Sequence, residues 1–296
     1  MKTVMKFRGH ETFFVRKGWI SKGLKYVNRD PLVFMGTNGN PMDILGIGSN
    51  MVKSLRYWLQ AFTLTVEPTS GKRDQRLTPL GQLVLNNDPF IEEIGTLCLL
   101  HYRLASNYED ATAWYYFFNE FRPAEFNRDD FVLQLSNYLR IKGVDVSERS
   151  LEDDYNCIMS TYVPRSKSSP EKVRAESNID CPLGELGLVD IANKRSKTYK
   201  KSEIKKDLLP PLVALAIIVE QSRNNREVKI SAIQSDANNI GKIFNMSTIS
   251  LTSLLYKLEL MGYIKVIRTA GLDVINILRD MTFEDCILAY YQSLEK

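Results

Sequence analysis

Apolar residues recur every three or four positions through much of the chain, the period of helices that bury one face. Residues 16–27 set Trp19, Ile20, Leu24 and Val27 on one side and Lys17, Lys22 and Lys25 elsewhere, which predicts a packed first helix. A turn-rich stretch over residues 34–40 follows; Pro41 suits a first helical position, and residues 42–45 make a short second helix. Gly46-Ile47-Gly48 breaks it, the glycines allowing a tight turn while Ile47 tucks inward, and Ser49 is suited to cap the next helix. In that third helix Met51, Val52, Leu55, Trp58, Leu59 and Phe62 form one apolar stripe. Residues 64–67 and 75–77 predict two strands joined by a turn with Gly71, Lys72 and Arg73, and Thr78-Pro79 opens a further helix over residues 80–86. The expectation is a winged helix-turn-helix domain over residues 1–88.

Residues 89–163 predict a central helical region. It holds an apolar helix over 89–103, an aromatic run from Trp114 to Phe121, a helix over 128–142 with Phe131, Leu135 and Leu139 at four-residue spacing, and another beginning near Leu151. The aromatic run could stack on bases, but no cation interleaves with it, so core packing is the better reading. Residues 164–206 read as a basic linker: 164–177 and 191–206 are poor in apolar residues, whereas 178–188 is apolar enough to dock. Its cations Lys194, Arg195, Lys197, Lys200, Lys201, Lys205 and Lys206 suit either a phosphate backbone or a solvated tether. Residues 207–296 repeat the winged-helix order: a buried helix over 212–219, residues 233–243 leading into a helix over 248–261, a hairpin of 263–267 and 273–277 around Ala270-Gly271, and a tail over 283–294 that packs back on it. The exposed face there, Ser250, Ser253, Tyr256 and Lys257, carries less charge than the first. The fold class expected is mainly α.

With 44% apolar and 25% charged residues the chain is neither disordered nor fibrous. No apolar run approaches the roughly 18 residues of a membrane span, and residues 1–10 lack a signal-peptide core, so no membrane partner and a cytoplasmic location are expected. Cys98, Cys157, Cys181 and Cys286 form no C-x-x-C pair, which argues for reduced thiols over a zinc knuckle or disulfide framework. A net charge of +4 identifies no partner by itself, so the placement of the cations decides. Opposite the apolar stripe of the third helix stand Asn50, Lys53, Ser54, Arg56, Tyr57 and Gln60, able to reach phosphates and base edges in a major groove. The DNA-binding set expected is therefore Ser49, Asn50, Lys53, Ser54, Arg56 and Tyr57, with Lys72, Arg73 and Arg76 on the wing.

Catalytic signatures are sparse. There is no Walker loop; Gly46-Ile47-Gly48 lacks a preceding strand and a third glycine; His10-Glu11 opens like a zincin motif, but Phe14 stands where the second histidine should be. With His10 and His101 the only histidines, a histidine-rich metal centre is excluded. A nuclease would need convergent carboxylates. Glu152, Asp153 and Asp154, with Asp180 and Glu185, are the candidates, although adjacent acids diverge on a helix and acids at a helix start also serve the dipole. His10 and Glu11 are a second pair, as base or ligand. No metal ligand set follows from this. Mg2+ or Mn2+ is the cofactor expected if strands are nicked, and none otherwise.

Gly9-His10-Glu11-Thr12-Phe13, Arg16-Lys17-Gly18-Trp19, residues 45–54 and Arg56-Tyr57-Trp58-Leu59 resemble a bacterial family long classed as a domain of unknown function, whose members sit beside DNA phosphorothioation genes. Weaker similarity runs through residues 112–119 and 180–188, so the resemblance covers most of the chain. That family resembles the SspB-type proteins of single-strand phosphorothioation systems. The resemblance implies a DNA nicking component working with a cysteine desulfurase, an ATP-pyrophosphatase and an ATPase; it carries over no catalytic set residue by residue. A non-enzymatic winged-helix adaptor or transcriptional regulator, acting as a homodimer on spaced half-sites, is the competing reading.

Overall fold

The computed structural model describes residues 5–68, 70–71, 73–163, 181–269 and 272–295. Lys72, Asp180, the linker stretch 164–177 and the Ala270-Gly271 turn lie outside the described residues. The architecture is mainly α-helical. Helix α1 (Trp19–Arg29) buries Trp19, Ile20, Leu24 and Val27, the face its spacing predicts. Helix α2 (Pro41–Leu45) is capped by the Asn40 side chain and closed by Gly46 at φ 62°, a left-handed position that favours glycine. Helix α3 (Ser49–Ala61) follows at once; Gly48 rather than Ser49 takes the cap position, because the two-glycine turn ends one residue earlier than expected. Strands β1 (Thr65–Val66) and β2 (Arg76–Leu77) pair antiparallel. Thr78 caps α4 (Pro79–Asn87), where a Cβ on Gly81 would lie 2.0 Å from the Leu64 carbonyl oxygen, so only glycine lets helix and strand meet.

The centre comprises α5 (Ile94–Ser106), α6 (Thr112–Asn119), α7 (Arg128–Ile141) and α8 (Glu148–Tyr162). Helix α5 starts five residues later than the pattern suggests, because the Asp88 carboxylate accepts the Glu92 and Glu93 amides and holds a turn first. The aromatic run is core: Trp114, Phe117, Phe118 and Phe121 are buried. His101 is sealed among Phe118, Tyr162 and Phe244. Its Nε2 donates to the Ile243 carbonyl at 2.7 Å and its Nδ1 accepts from the Tyr162 hydroxyl at 2.8 Å. Burial pushes its pKa down to about 4, so the ring folds neutral. An unfolded chain binds that proton near pH 6.5, whereas the folded one resists until about pH 4. Stability should therefore fall as pH drops through that window, by about 3 kcal/mol from this group. Denaturant melts across pH 4–7 on His101→Gln, which lacks the titrating ring, should show that slope diminished.

The stretch expected to be linker from residue 191 onward is instead a hairpin. Strands β4 (Val189–Asn193) and β5 (Thr198–Lys201) join β3 (Glu125–Phe126) in the order β3-β5-β4. Its period-two pattern is masked by lysines, one of which behaves as a core residue. Lys201 donates to the Phe117 and Phe121 carbonyls beneath their rings, and burial, with Lys242 nearby, lowers its pKa to about 7. Ahead of the hairpin, a 3-10 turn at Pro182–Leu186 docks through Cys181, Leu183, Leu186 and Leu188.

The last part runs α9 (Pro211–Ser222), β6 (Glu227–Lys229), α10 (Ile230–Ser235), α11 (Ile240–Ile243), α12 (Thr248–Leu260), β7 (Ile264–Thr269), β8 (Leu272–Ile277) and α13 (Phe283–Leu294). Its sheet order is β6-β8-β7. Helix α13 returns to α5: the Tyr290 hydroxyl accepts from the Gly95 amide and the Tyr291 hydroxyl pairs with Thr96. All four cysteines are buried. Among the described residues no helix is long and apolar enough to cross a membrane.

Candidate nucleic-acid interface

The turn at Gly46 throws α3 outward, and its first turn emerges into solvent with Ser49, Asn50 and Lys53 exposed. Lys53 has no ion-pair partner among the described residues. Beside it the β1–β2 arm presents Arg73 and Arg76, the latter paired with Asp74 at 2.8 Å. Three further members of the expected DNA-binding set, Ser54, Arg56 and Tyr57, behave differently. Ser54 and Tyr57 are buried, a correction to their expected exposure: the N-terminal segment crosses α3 there, so the Phe13 carbonyl accepts from Trp58 at 2.9 Å and from Ser54 at 3.4 Å, and the Tyr57 hydroxyl donates to the Asp110 carbonyl. Arg56 is held by Glu67 in a two-pronged pair, Nε at 3.0 Å and Nη2 at 2.5 Å, and Gln60 donates to the same carboxylate. Glu67 thus neutralises the Arg56 guanidinium and fixes the arm against the helix.

The crossing segment is fastened at its far side. His10 is fully buried, with its Nε2 2.7 Å from Asp154 Oδ1 and its ring among Tyr57, Trp58 and Trp114. The same carboxylate oxygen accepts the Arg8 amide at 2.8 Å, and the Arg8 side chain pairs with Asp153 at 2.8 Å. Burial raises the Asp154 pKa, while the hydrogen bonds from His10 and Arg8 oppose that rise. Gly9 makes the approach feasible, since a Cβ there would fall 2.5 Å from the Tyr57 ring. The motif around His10 therefore works as a strap tying α3 to α8.

The proposed carboxylates separate accordingly. Glu152 reaches Arg128 at 3.5 Å, Asp153 reaches Arg8 and Asp154 reaches His10, so consecutive acids on α8 serve three different partners. Glu11 is exposed, at φ 50°. No group of three or more His, Cys, Asp or Glu side chains is placed to hold a metal ion among the described residues. Sequence reading missed Arg8, Glu67 and the pairing of His10 with Asp154. Only the acidic run on α8 hinted at the last. On α12, Ser253, Tyr256 and Lys257 are exposed, and Lys257 is paired with Asp207 at 2.5 Å.

Residues 7–291 match the family described as "Protein of unknown function (DUF4007)", and the chain belongs to it. Two crystal structures share its fold. "Magnesium ion-bound SspB crystal structure" superposes with a TM-score of 0.80 at 24% identity, over 98% of this chain and 94% of that one. "SspB crystal structure" gives 0.80 at 23% identity, over 98% and 95%. No curated protein matches the chain in sequence.

Proposed function

We propose that this chain is the duplex-DNA-binding component of an SspB-type phosphorothioation system. The observation that carries the reading is the open first turn of α3, where Ser49, Asn50 and Lys53, which has no ion pair among the described residues, stand beside the cationic β1–β2 arm. Helices α1–α3 with that arm follow the winged helix-turn-helix order, which places such a turn in a major groove and such an arm along the backbone. The elements α9–α13 repeat the order with a less cationic helix. Family membership and the SspB-like fold support the system assignment. A cysteine desulfurase, an ATP-pyrophosphatase and an ATPase are its proposed partners. Strand nicking, which the family resemblance implies, has no assembled residue set behind it among the described residues, so the proposal stops at binding.

Glu67 supplies a test. Glu67→Gln keeps the shape but gives up the charge that holds Arg56, returning a cation to the surface. Duplex affinity in a fluorescence anisotropy titration should rise several-fold, and the slope of log K against log salt should steepen by about one. Unchanged affinity and slope would mean that Arg56 does not face DNA.

A further inference from the structure

A cleft of about 470 Å³ lies between α7, α8 and the β4–β5 hairpin, a size within the roughly 300–1,000 Å³ of small-molecule sites. Arg128, Tyr155, Asn156, Met159, Lys197 and Tyr199 are among its walls. Tyr155 is 4% exposed, and its hydroxyl is buried without a hydrogen-bond partner. Tyr155 lines the cleft together with Tyr199 and Arg128. An unpaired buried hydroxyl is costly, so one that borders a cleft suits a ligand that completes it.

The hairpin supplies the electrostatics. Lys194, Arg195 and Lys197 are exposed at its tip, and none has an ion-pair partner among the described residues. The tip is shaped rather than loose: the Asn193 side chain accepts the Arg195 and Ser196 amides, and Lys197 turns the chain at φ 51°. The opposite wall is milder, since Arg128 is shared between Asp129 at 3.4 Å and Glu152 at 3.5 Å. Tyr199 stands between the two, packed edge-on to Tyr155 at 6.5 Å. Lys197 in the cleft wall, Lys194 and Arg195 a few residues away on the same tip, two tyrosine rings and a waiting hydroxyl form the combination that recognises a phosphodiester strand with an unstacked base.

We infer that this cleft seats one unpaired nucleotide of a DNA strand, with its phosphates along the hairpin tip and its base against Tyr199 within reach of the Tyr155 hydroxyl. The inference rests on the DNA-binding reading above but uses none of the α3 residues. It gives the protein a second, single-strand contact on another face of the fold.

The test is anisotropy of a labelled oligothymidylate and of a labelled duplex with the full-length protein and three variants. Lys194→Glu with Arg195→Glu and Lys197→Glu should weaken the single strand by roughly tenfold or more. Tyr155→Phe, which removes only a hydroxyl, should weaken it by roughly three- to tenfold with the melting temperature unchanged or raised. Lys53→Glu should weaken the duplex and spare the single strand. If the hairpin variant loses the strand while Tyr155→Phe binds as wild type, the strand only tracks surface charge and the cleft is not its seat. If neither variant changes single-strand affinity while Lys53→Glu still weakens the duplex, this inference fails alone. If wild type binds neither probe, both readings fail.

Discussion

Replacing Asp154 by alanine is expected to lower the free energy of unfolding by about 3–5 kcal/mol, read from urea melts at neutral pH. The carboxylate is 1% exposed and receives both the His10 ring and the Arg8 amide on one oxygen, so its removal strands two polar groups. His10→Ala should cost a comparable amount and leave a cavity where the ring meets Trp58 and Trp114. Because the two side chains form one unit, the double variant should cost clearly less than the sum of the singles. The strap also covers Ser54 and Tyr57, so both variants should bring earlier proteolysis of residues near the N-terminus than of α12. A loss under about 0.5 kcal/mol in Asp154→Ala would show that the pair is not structural.

The second large effect concerns DNA. Lys53→Glu combined with Arg73→Glu should reduce duplex affinity by roughly 10- to 100-fold at low salt, since each reversal removes one phosphate contact and adds a repulsion. Both side chains are exposed; Lys53 has no ion pair among the described residues, and Arg73 only grazes Glu67 at 4.0 Å, so the fold should not register the change. An unaltered melting temperature with unaltered affinity would remove α3 from the interface.

The helical frame could be read ahead because its periodicities are local: α1 and α7 each bury the residues their three- and four-residue spacing selects, and α3 does so except for half-buried Met51. Gly46 likewise announced its turn. What escaped was set by partners distant in the chain. Arg56 reads as a free cation until Glu67 folds back onto it, and Ser54 and Tyr57 read as surface until the N-terminal segment crosses them. His10 and Asp154 are 144 residues apart, so each resembled a lone titratable group with catalytic potential. The β4–β5 hairpin was hidden by composition: its lysines suggest a tether, yet half-buried Lys201 caps backbone carbonyls beneath aromatic rings. Consecutive acids on α8 offered the appearance of a metal cluster, and helix geometry sent them to three partners.

The proposed contact lies between the first turn of α3, with its neighbouring arm, and the phosphates of duplex DNA. Equilibrium binding of the wild-type protein to one duplex over a series of salt concentrations tests that most directly. Three or four phosphate contacts predict a linear fall of log K with log salt at a slope of roughly −3, becoming shallower by about two in Lys53→Glu with Arg73→Glu. No binding at the lowest salt, or a slope near zero shared by both proteins, would contradict it.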